Sequence, residues 1–540
     1  MYLNKKILSV FTLTALAATT LSSLMPAPAT AQQAAVAIDN DDIGGVVRGA
    51  KGPEAGVWVI AETNELPTKF TKIVVTDDQG RYVIPDLPAN VNYEVWVRGY
   101  GLVDSPKLRA KPGQQVNLTA VPAPDDAAAA HYYPALYWFT LMKLPPAKDF
   151  GGGSDIPKEI TLDIWRQRMN NVDCIGCHQL GQESTRTVPA AFGPFKSGEE
   201  AWMRRVASGQ TGEWMVNRLA GQLGGVPFKY FGDWTDRVAG GELPKTKPPR
   251  PTGVERNVVI SSWEWATEKH FVHDLISSDR RHPTVNASGP LYGSNEYSSD
   301  DMPILDPKTH KVTFFKMPVA DPAMPEMFGP PLHLNASMKP VGASAYWGEE
   351  KIWNQRSNNH NGMFDDKGRV WFAASVRGIE NPDFCKKGSE HPSAKAFPIE
   401  RSGRQASMLD PKTMKYSFID TCFGTHHPQF GYDADNTLWF SGSGPVAGWV
   451  NTRIWDETGD AVKAQGWAPY VLDTNGNGKV DEYTEPGAPL AEGKDARVAG
   501  SGPYAVMPHP TDGSVWYAVN VFAGTPGFMR FDPKTKLSEF

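Results

Sequence analysis

The chain has 540 residues, which is too many for a single hydrophobic core, so several domains are expected. Its 54 basic and 60 acidic residues give a formal net charge of -6 at pH 7. This balance provides no basic stripe of the kind that nucleic-acid binding requires, so no nucleic-acid partner is expected.

The first 31 residues have the pattern of a cleavable signal peptide. Lys5 and Lys6 precede a short apolar stretch over residues 7–18, and a small-residue cleavage site follows at residues 29–31. The apolar stretch is too short to span a bilayer and no later stretch is long enough, so no transmembrane segment is predicted. Cleavage after Ala31 would release a soluble exported protein, for which we expect a periplasmic location.

Residues 43–122 have the period-two pattern of short strands separated by turns, which favours a small antiparallel β-sandwich. Three of its features resemble the carboxypeptidase regulatory-like domain, a transthyretin-like sandwich. They are Gly-Val-Val-Arg-Gly at 45–49, Asp-Gln-Gly-Arg-Tyr at 78–82 and Leu-Pro at 87–88. In that family the module is an accessory without catalytic residues, so the resemblance implies a packing or docking role.

Residues 123–155 are predicted to be a linker. Residues 131–139 are strongly aromatic, and Gly-Gly-Gly-Ser at 151–154 forms a flexible joint. An aromatic cluster of this kind can be a substrate platform or the cover of a cofactor edge. The pattern favours an anchor that packs one domain on another.

Residues 174–178 read Cys-Ile-Gly-Cys-His, which is the c-type haem attachment pattern. Cys174 and Cys177 are predicted to form thioether bonds to haem, and His178 to be a ligand of the iron. A redox Cys-x-x-Cys needs no following histidine, and no second pair of ligands lies nearby to complete a zinc site. Bacterial c-type haem is attached outside the cytoplasm, which agrees with export.

Residues 156–247 have a helical pattern, including a capping box at 197–200 and a helix predicted to begin near Asp233. Helices around one attachment motif resemble a small cytochrome c domain. The second iron ligand is predicted to be Met215, with Met203 as the alternative, since a thioether raises the haem potential relative to a second imidazole. Ordinary core packing is the other interpretation of both methionines.

Residues 248–540 contain two repeated motifs that predict a β-propeller. Asp-Pro-Lys-Thr begins at residues 306, 410 and 532, in the position of a hairpin turn. A second motif leads into Trp371, Trp439 and Trp516. Both motifs resemble the streptogramin (virginiamycin B) lyase-like propellers, and the resemblance implies the fold rather than the lyase reaction. Because the chain stops inside a repeat hairpin, an incomplete propeller is expected.

Four histidines of this region are candidate catalytic residues: His360, His426, His427 and His509. Each occurs about one strand before a repeat tryptophan, so the pattern predicts that they lie near one end of consecutive strands, around a central channel. A purely structural role for each histidine is the alternative interpretation.

Two further features are expected to matter for stability. Cys385 and Cys422 are predicted to form a disulfide in an oxidising compartment, with two buried thiols as the alternative. An insertion resembles the calcium loop of EF-hands and dockerins, with ligands from Asp473, Asn475, Asn477, the carbonyl of Lys479 and Asp481. Its twelfth place is Thr484, so Glu482 or Glu485 would have to replace the usual glutamate; a solvated Asn-Gly turn is the alternative.

These features predict a multidomain, mainly β protein with an N-terminal sandwich, a small helical haem domain and a C-terminal propeller. The favoured function is an oxidoreductase that passes electrons from a small molecule at the propeller, through haem c, to a periplasmic electron-transfer protein. A non-enzymatic electron carrier or scaffold is one alternative. A lyase of the streptogramin-lyase type with an accessory haem is the other.

Overall fold

The computed structural model describes residues 36–169, 174–326, 342–499, 503–519 and 526–540. The predicted signal peptide, residues 1–31, lies outside these residues. The described part of the chain is mainly β, with several separate sheets and no closed barrel among them. None of its helices has the length and apolar character needed to cross a membrane.

Two sheets in the N-terminal region enclose one apolar core. The strands are β1 (Ile43–Gly49), β2 (Gly52–Pro53), β3 (Trp58–Thr63), β4 (Phe70–Val75), β5 (Arg81–Ile84), β6 (Tyr93–Arg98), β7 (Leu102–Val103), β8 (Leu108–Ala110), β9 (Gln114–Gln115), β10 (Leu118–Thr119) and β11 (Val121–Pro122). Strands β4, β3, β6 and β8 form one sheet, and β1 pairs with β2, β5, β9 and β10. Alternate residues point inward, so Ile43 and Val47 of β1 face Val59 and Tyr93 of the other sheet in a shared core.

A strand from much later in the chain completes this region. Strand β12 (Val259–Trp263) pairs antiparallel with β4, from Val259 opposite Val74 to Trp263 opposite Phe70. The added strand satisfies the backbone groups at the open edge of β4. The first strand after the predicted boundary at residue 248 therefore belongs to the N-terminal sheet rather than to the C-terminal region.

Residues 126–239 contain the helices α1 (Asp126–Ala130), α2 (Ala135–Phe139), α3 (Leu162–Gln167), α4 (Cys174–Cys177), α5 (Glu183–Arg186), α6 (Gly198–Val206), α7 (Gly212–Val216) and α8 (Val226–Ala239). A π-helical turn, Asn217–Gln222, follows α7. The Ser197 side chain caps α6 by accepting the N–H of Glu200, as the capping pattern predicts. Helix α8 begins at Val226, seven residues before the predicted start, because Gly225 adopts a left-handed conformation and Pro227 favours the first turn.

The aromatic segment at 131–139 is part of the helical core. Trp138 is buried against Trp165, Trp202 and Trp234, and its backbone carbonyl accepts the Nε1–H of Trp234 at 3.0 Å. The segment also contacts the N-terminal region, where the rings of Tyr133 and Tyr100 lie 6.1 Å apart. It therefore anchors the linker to both neighbouring regions.

Four antiparallel sheets, each built mainly from four consecutive strands, follow. Their strands are β13 (Asp274–Ile276), β14 (Leu291–Ser294), β15 (Asp301–Asp306) and β16 (Lys311–Lys316); β17 (His360–Phe364), β18 (Val370–Ala374), β19 (Gln405–Asp410) and β20 (Lys415–Ile419); β21 (Pro428–Phe430), β22 (Thr437–Phe440), β23 (Val446–Asn451) and β24 (Gln465–Pro469); and β28 (Val506–Pro508), β29 (Val515–Val519), β30 (Gly527–Phe531) and β31 (Leu537–Glu539). The first strands of the four sheets, β13, β17, β21 and β28, lie side by side in that order. We call these four the inner strands.

Both repeated motifs occupy equivalent places in these sheets. The Asp-Pro-Lys-Thr segments form the turns between the third and fourth strands, as in the register of Asp410 opposite Lys415. The tryptophan motif forms the second strand, where the Nε1–H of Trp371 donates to the buried carboxylate of Asp365 at 3.0 Å. The local sequence pattern therefore predicts these hairpins and strands.

The second, third and fourth sheets contain inserted helices and short strands. They include α9 (Pro392–Ala396), α10 (Thr452–Thr458), α11 (Ala461–Ala464), β25 (Val471–Leu472), β26 (Tyr483–Thr484) and β27 (Asp495–Arg497). Strand β25 pairs with both β27 and β31, which joins this insertion to the fourth sheet. Cys385 and Cys422 form a disulfide between Cα atoms 5.3 Å apart, buried in the core of the second and third sheets.

Candidate functional site

A cluster of histidines lies where the inner strands begin. His273 directly precedes β13, His360 is the first residue of β17, and His426 and His427 directly precede β21. Tyr504 lies two residues before β28. Because the inner strands are neighbours, side chains at their starts meet at one place, which we call the histidine cluster.

The rings of the histidine cluster are in direct contact. The imidazole of His360 stacks on that of His426, with centroids 4.4 Å apart and ring planes 13° apart, and lies 5.1 Å from that of His427. His273 lies 4.8 Å from His360 on the other side. The ring of Tyr504 lies about equally close to His426 and His427, at 5.0 and 4.9 Å.

Two carboxylates and one guanidinium lie beside these rings. The Oδ2 atom of Asp274 is 2.9 Å from Nδ1 of His273 and 3.3 Å from Nε2 of His360. The Oε2 atom of Glu296 is 3.5 Å from the same Nε2, and Arg404 forms an ion pair with the other oxygen of Glu296. Glu296 and Arg404 are both buried, so the site has fixed charges that solvent screens weakly.

The environment keeps three of the imidazoles neutral. Burial lowers the pKa of His360 and of His426 far below the ordinary value, and the positive charge of Arg404 acts in the same direction. Burial also lowers the pKa of His427. For His273, burial opposes protonation, but the nearby carboxylates of Asp274 and Glu296 outweigh that effect and raise its pKa. Of these four histidines, His273 is therefore the one whose protonation the site favours.

The loop before His360 adds polar groups that the fold leaves unsatisfied. Asn358 in this loop and Asn361, which follows His360 in β17, have positive φ values of 42° and 43°, a conformation that asparagine tolerates better than most residues. The side-chain amide of Asn358 is fully buried and has no hydrogen-bond partner among the described residues. Buried polar atoms of this kind are normally paired, so their presence marks the loop as a place where a polar ligand can bind.

Three of the four predicted catalytic histidines meet in the cluster, and His509 does not. His509 follows β28 instead of preceding it, so it lies at the opposite end of its inner strand. Its Nδ1 atom lies 3.0 Å from Asp512 and accepts the backbone N–H of that residue. His509 therefore stabilises a turn, and the predicted equivalence of its position was wrong by the length of one strand.

Sequence analysis missed five residues of the site: His273, Asp274, Glu296, Arg404 and Tyr504. A weak signal exists for the first two, because His273-Asp274 lies at the start of β13 as His360-Asn361 lies at the start of β17. Glu296 and Arg404 lie in loops whose sequences have no repeat, and they meet at the site only in the folded chain.

The predicted haem segment lies on the core of the helical region. Cys174 begins α4, and both Cys174 and Met215 are half-buried and pack against that core. The side chain of Cys177 lies outside the described part of the structure. His178 keeps an exposed surface, yet burial and the charge of Arg205 lower its pKa. Met203 is 53% exposed, so the packing favours Met215 of the two methionines.

Helix α7 connects this segment to the histidine cluster. Trp214, adjacent to Met215, makes an edge contact with the ring of Tyr297 at 5.1 Å, and Tyr297 adjoins Glu296. Just before α7, Gln210 exchanges two hydrogen bonds with the backbone of Trp353, at 2.8 and 2.7 Å. The helical region is thus docked beside the loops that surround the cluster.

The predicted calcium loop is an exposed series of tight turns. The Oδ1 atom of Asp473 accepts the N–H groups of Gly476 and Asn477, at 2.7 and 3.1 Å. The side-chain amide of Asn477 donates to Asp481, and Lys479 donates its own N–H to Asn477. Asn475 likewise accepts the N–H of Asn477. These bonds hold all five predicted ligands within one loop.

The acids proposed for the twelfth ligand position are engaged elsewhere. Glu482 forms an ion pair with Lys494 at 2.8 Å, and Glu485 forms one with Arg497. The buried carboxylate of Asp495 is a more suitable candidate ligand than these glutamates, because it contacts the loop directly. Its Oδ2 atom accepts the N–H of Asp481 at 3.0 Å. Its Oδ1 atom is buried and has no hydrogen-bond partner in the described chain. Asp495 is therefore a better sixth ligand than either glutamate.

Comparisons with known proteins give no family for this chain. No family model matches it, and no curated protein matches it. Among solved structures, it is similar to the extracellular domain of a putative one-component system from B. thetaiotaomicron, with 10% sequence identity and a TM-score of 0.20. That alignment covers 52% of this chain and 32% of the other. A similarity of this size supports no statement about fold or function.

Proposed function

We propose that this chain is a periplasmic c-type haem protein that oxidises a small molecule bound at the histidine cluster and passes the electrons through its haem to an acceptor protein. The contact between Trp214 and Tyr297 is the observation that carries this proposal. It joins the helix of the predicted iron ligand Met215 to the loop that supplies Glu296 to the cluster.

The conformation of Tyr297 supports a functional role for this contact. Its φ value of 78° is unusual for a bulky residue, and strained residues of this kind concentrate at functional sites. The N–H of Tyr297 donates to Oε1 of the buried Gln355 at 2.6 Å, and Nε2 of Gln355 donates to Asn359 at 2.6 Å. One amide side chain therefore links Tyr297 to the residue before His360.

The residues of the helical region fit a covalently attached haem. Cys174 and Cys177 would hold it by thioether bonds, and His178 and Met215 would be the iron ligands; the group would supply one-electron transfer. The lowered pKa of His178 keeps its imidazole neutral, which is the form that binds a metal. Cys174 and Met215 are both half-buried and pack against the same helical core, which supports this assignment.

The histidine cluster fits a small, polar substrate. His426 and His427 are partly buried and keep some solvent contact, whereas His360 is 1% exposed, so a substrate would meet the first two. The buried amides of Asn358 and Asn359 provide hydrogen-bonding groups for hydroxyl or amine functions.

The proposal is tested by substrate-driven reduction of the haem. Oxidised protein is mixed anaerobically with a panel of small alcohols, amines and aldehydes while the haem absorbance is recorded. We expect at least one compound to reduce the haem, and Trp214→Leu to slow that step without changing reduction by dithionite. Loss of the Trp214–Tyr297 pair removes about 0.5–1.5 kcal/mol of docking energy. Trp516→Leu, which changes a tryptophan remote from the helices, is the matched control.

Two outcomes contradict the proposal and favour the alternatives. Consumption of a compound without haem reduction would indicate a lyase. Electron exchange with periplasmic carriers, with no compound in the panel able to reduce the haem, would indicate an electron carrier.

A further inference from the structure

We infer that the histidine cluster is the binding site of a divalent first-row transition-metal ion, with His360, His426 and His427 as ligands and the carboxylate of Asp274 beside them. This inference stands on the geometry of the cluster alone. It does not depend on the haem or on the proposed oxidation.

The donor atoms are close enough to share one ion. One ligand atom from each of the three histidines lies within 4.8 Å of the others, and the same is true of His273, Asp274 and His360. Two ligands of a tetrahedral ion with bonds of 2.0–2.1 Å lie roughly 3.3 Å apart. Nε2 of His360 and Oδ2 of Asp274 already have this separation, at 3.3 Å. Small side-chain rotations of the partly buried His426 and His427 would bring their nitrogens into the same range.

Backbone carbonyls orient two of the imidazoles. Nδ1 of His360 lies 3.2 Å from the carbonyl oxygen of His426, and Nδ1 of His427 lies 3.1 Å from that of Tyr504. A carbonyl oxygen only accepts, so each Nδ1 carries the hydrogen and each Nε2 keeps its lone pair. Metal-binding histidines are commonly held in this way, with the far ring nitrogen donating to a backbone carbonyl or carboxylate.

The ligand face of His360 is buried and otherwise unsatisfied. The residue is 1% exposed, and its Nε2 atom has no hydrogen-bond partner among the described residues. Asp274 and Glu296 lie within 3.5 Å of this atom without hydrogen-bonding geometry. A buried nitrogen facing two carboxylates is costly unless a proton or a metal ion lies between them. A metal ion bound to Nε2 of His360 would satisfy this nitrogen and the adjacent carboxylate of Asp274.

The donor set selects the class of ion. Imidazole suits zinc, copper, iron and nickel, whereas magnesium and calcium prefer sites built from oxygen ligands. The carboxylate of Asp274 adds an oxygen donor beside the imidazoles, which zinc also accepts as a ligand. We therefore choose Zn²⁺ as the probe.

The inference is tested by calorimetric titration with Zn²⁺ of the full-length protein, which retains its haem and has been freed of other metal ions. Excess Ca²⁺ is present throughout to occupy the oxygen-rich loop at residues 473–481. We expect one saturable zinc site in the wild type. In both His426→Gln and His427→Gln, the affinity for zinc should fall by about tenfold or more. His509→Gln removes an exposed histidine at the opposite end of an inner strand and should bind zinc as the wild type does. X-ray absorption at the zinc edge should show imidazole scattering from more than one ring.

Two results of the zinc titration would contradict the metal site. Absence of saturable binding in the wild type, or equal binding by the wild type and both cluster variants, would overturn the inference. Circular dichroism and the haem spectrum of His426→Gln and His427→Gln check that they are folded. Zinc binding without substrate-driven haem reduction would contradict the proposed oxidoreductase and leave the metal site in place, so the two failures are distinguishable.

Discussion

His360 is held in a setting that few other side chains would tolerate. It begins an inner strand, lies between two asparagines with positive φ values, and packs between His273 and His426. Its Nδ1 atom is directed to a backbone carbonyl, and its Nε2 atom faces Asp274 and Glu296. An apolar substitute would leave the carboxylates of Asp274 and the buried Glu296 opposite an apolar surface, so this position is specified by polar chemistry rather than by packing.

Met215→Ala tests the second iron ligand. Removing the thioether should abolish any methionine-to-iron charge-transfer band and lower the haem potential, because the thioether stabilises reduced iron. Met203→Ala is the control, since Met203 is exposed and lies on a different helix. The absorption spectrum and a redox titration measure both effects. A spectrum altered by Met203→Ala and unchanged by Met215→Ala would reverse the assignment.

At the scale of elements, local repeats were the most predictable feature. The Asp-Pro-Lys-Thr turns and the tryptophan strands depend on contacts between residues that are close in the chain, so the local sequence pattern predicts them. The pairing of β12 with β4 joins residues about 190 positions apart and has no local signal. The start of α8 was predicted seven residues too late, because a glycine such as Gly225 is not a typical signal for the start of a helix.

The turn between β19 and β20 provides a prediction about stability and pH. Partial burial alone would raise the pKa of Asp410, but the N–H of Lys412 and the hydroxyl of Thr413, both 2.9 Å away, lower it. A lowered carboxyl pKa stabilises the fold above the ordinary value of about 3.9, and that stabilisation is lost as the pH falls through the folded-state pKa.

Asp410→Asn should therefore destabilise the C-terminal region at neutral pH by about 1 kcal/mol. Differential scanning calorimetry from neutral pH to about pH 3 should show the difference from the wild type shrinking as the wild-type carboxylate is protonated. Lys412→Ala keeps the backbone N–H that Asp410 accepts and is the control. A difference that is constant over this pH range would contradict the account.

The loop at residues 473–481 tests the proposed calcium site. Calcium at 100 times its dissociation constant should stabilise the folded form by about 2.7 kcal/mol, and a chelator should remove that gain. Asp473→Ala and Asp495→Asn should both abolish the response in a thermal melt. Lys479→Ala should retain it, because the proposed ligand is the backbone carbonyl. A melt of metal-free wild-type protein that is insensitive to calcium would leave the loop as a simple Asn-Gly turn.

At the scale of the whole molecule, the site is assembled from segments that are far apart in the chain. The histidines come from the starts of neighbouring inner strands, Glu296 and Arg404 come from loops, and α7 reaches the cluster through Trp214 and Tyr297. Sequence spacing grouped the histidines at the starts of β17 and β21 because the two sheets share clear sequence repeats. The same spacing gave the wrong position for His509, because the number of residues between a histidine and a tryptophan does not determine at which end of a strand the histidine lies.

The central claim is a covalently bound haem. To test it most directly, the protein is secreted from a host that has a cytochrome c maturation system and is then denatured. A pyridine haemochrome spectrum and the intact mass are measured on the denatured protein. We predict a c-type spectrum and the added mass of one haem in the wild type, both lost in the Cys174→Ala/Cys177→Ala double variant. Release of all haem from the denatured wild type, or retention of covalent haem by the double variant, would contradict the account.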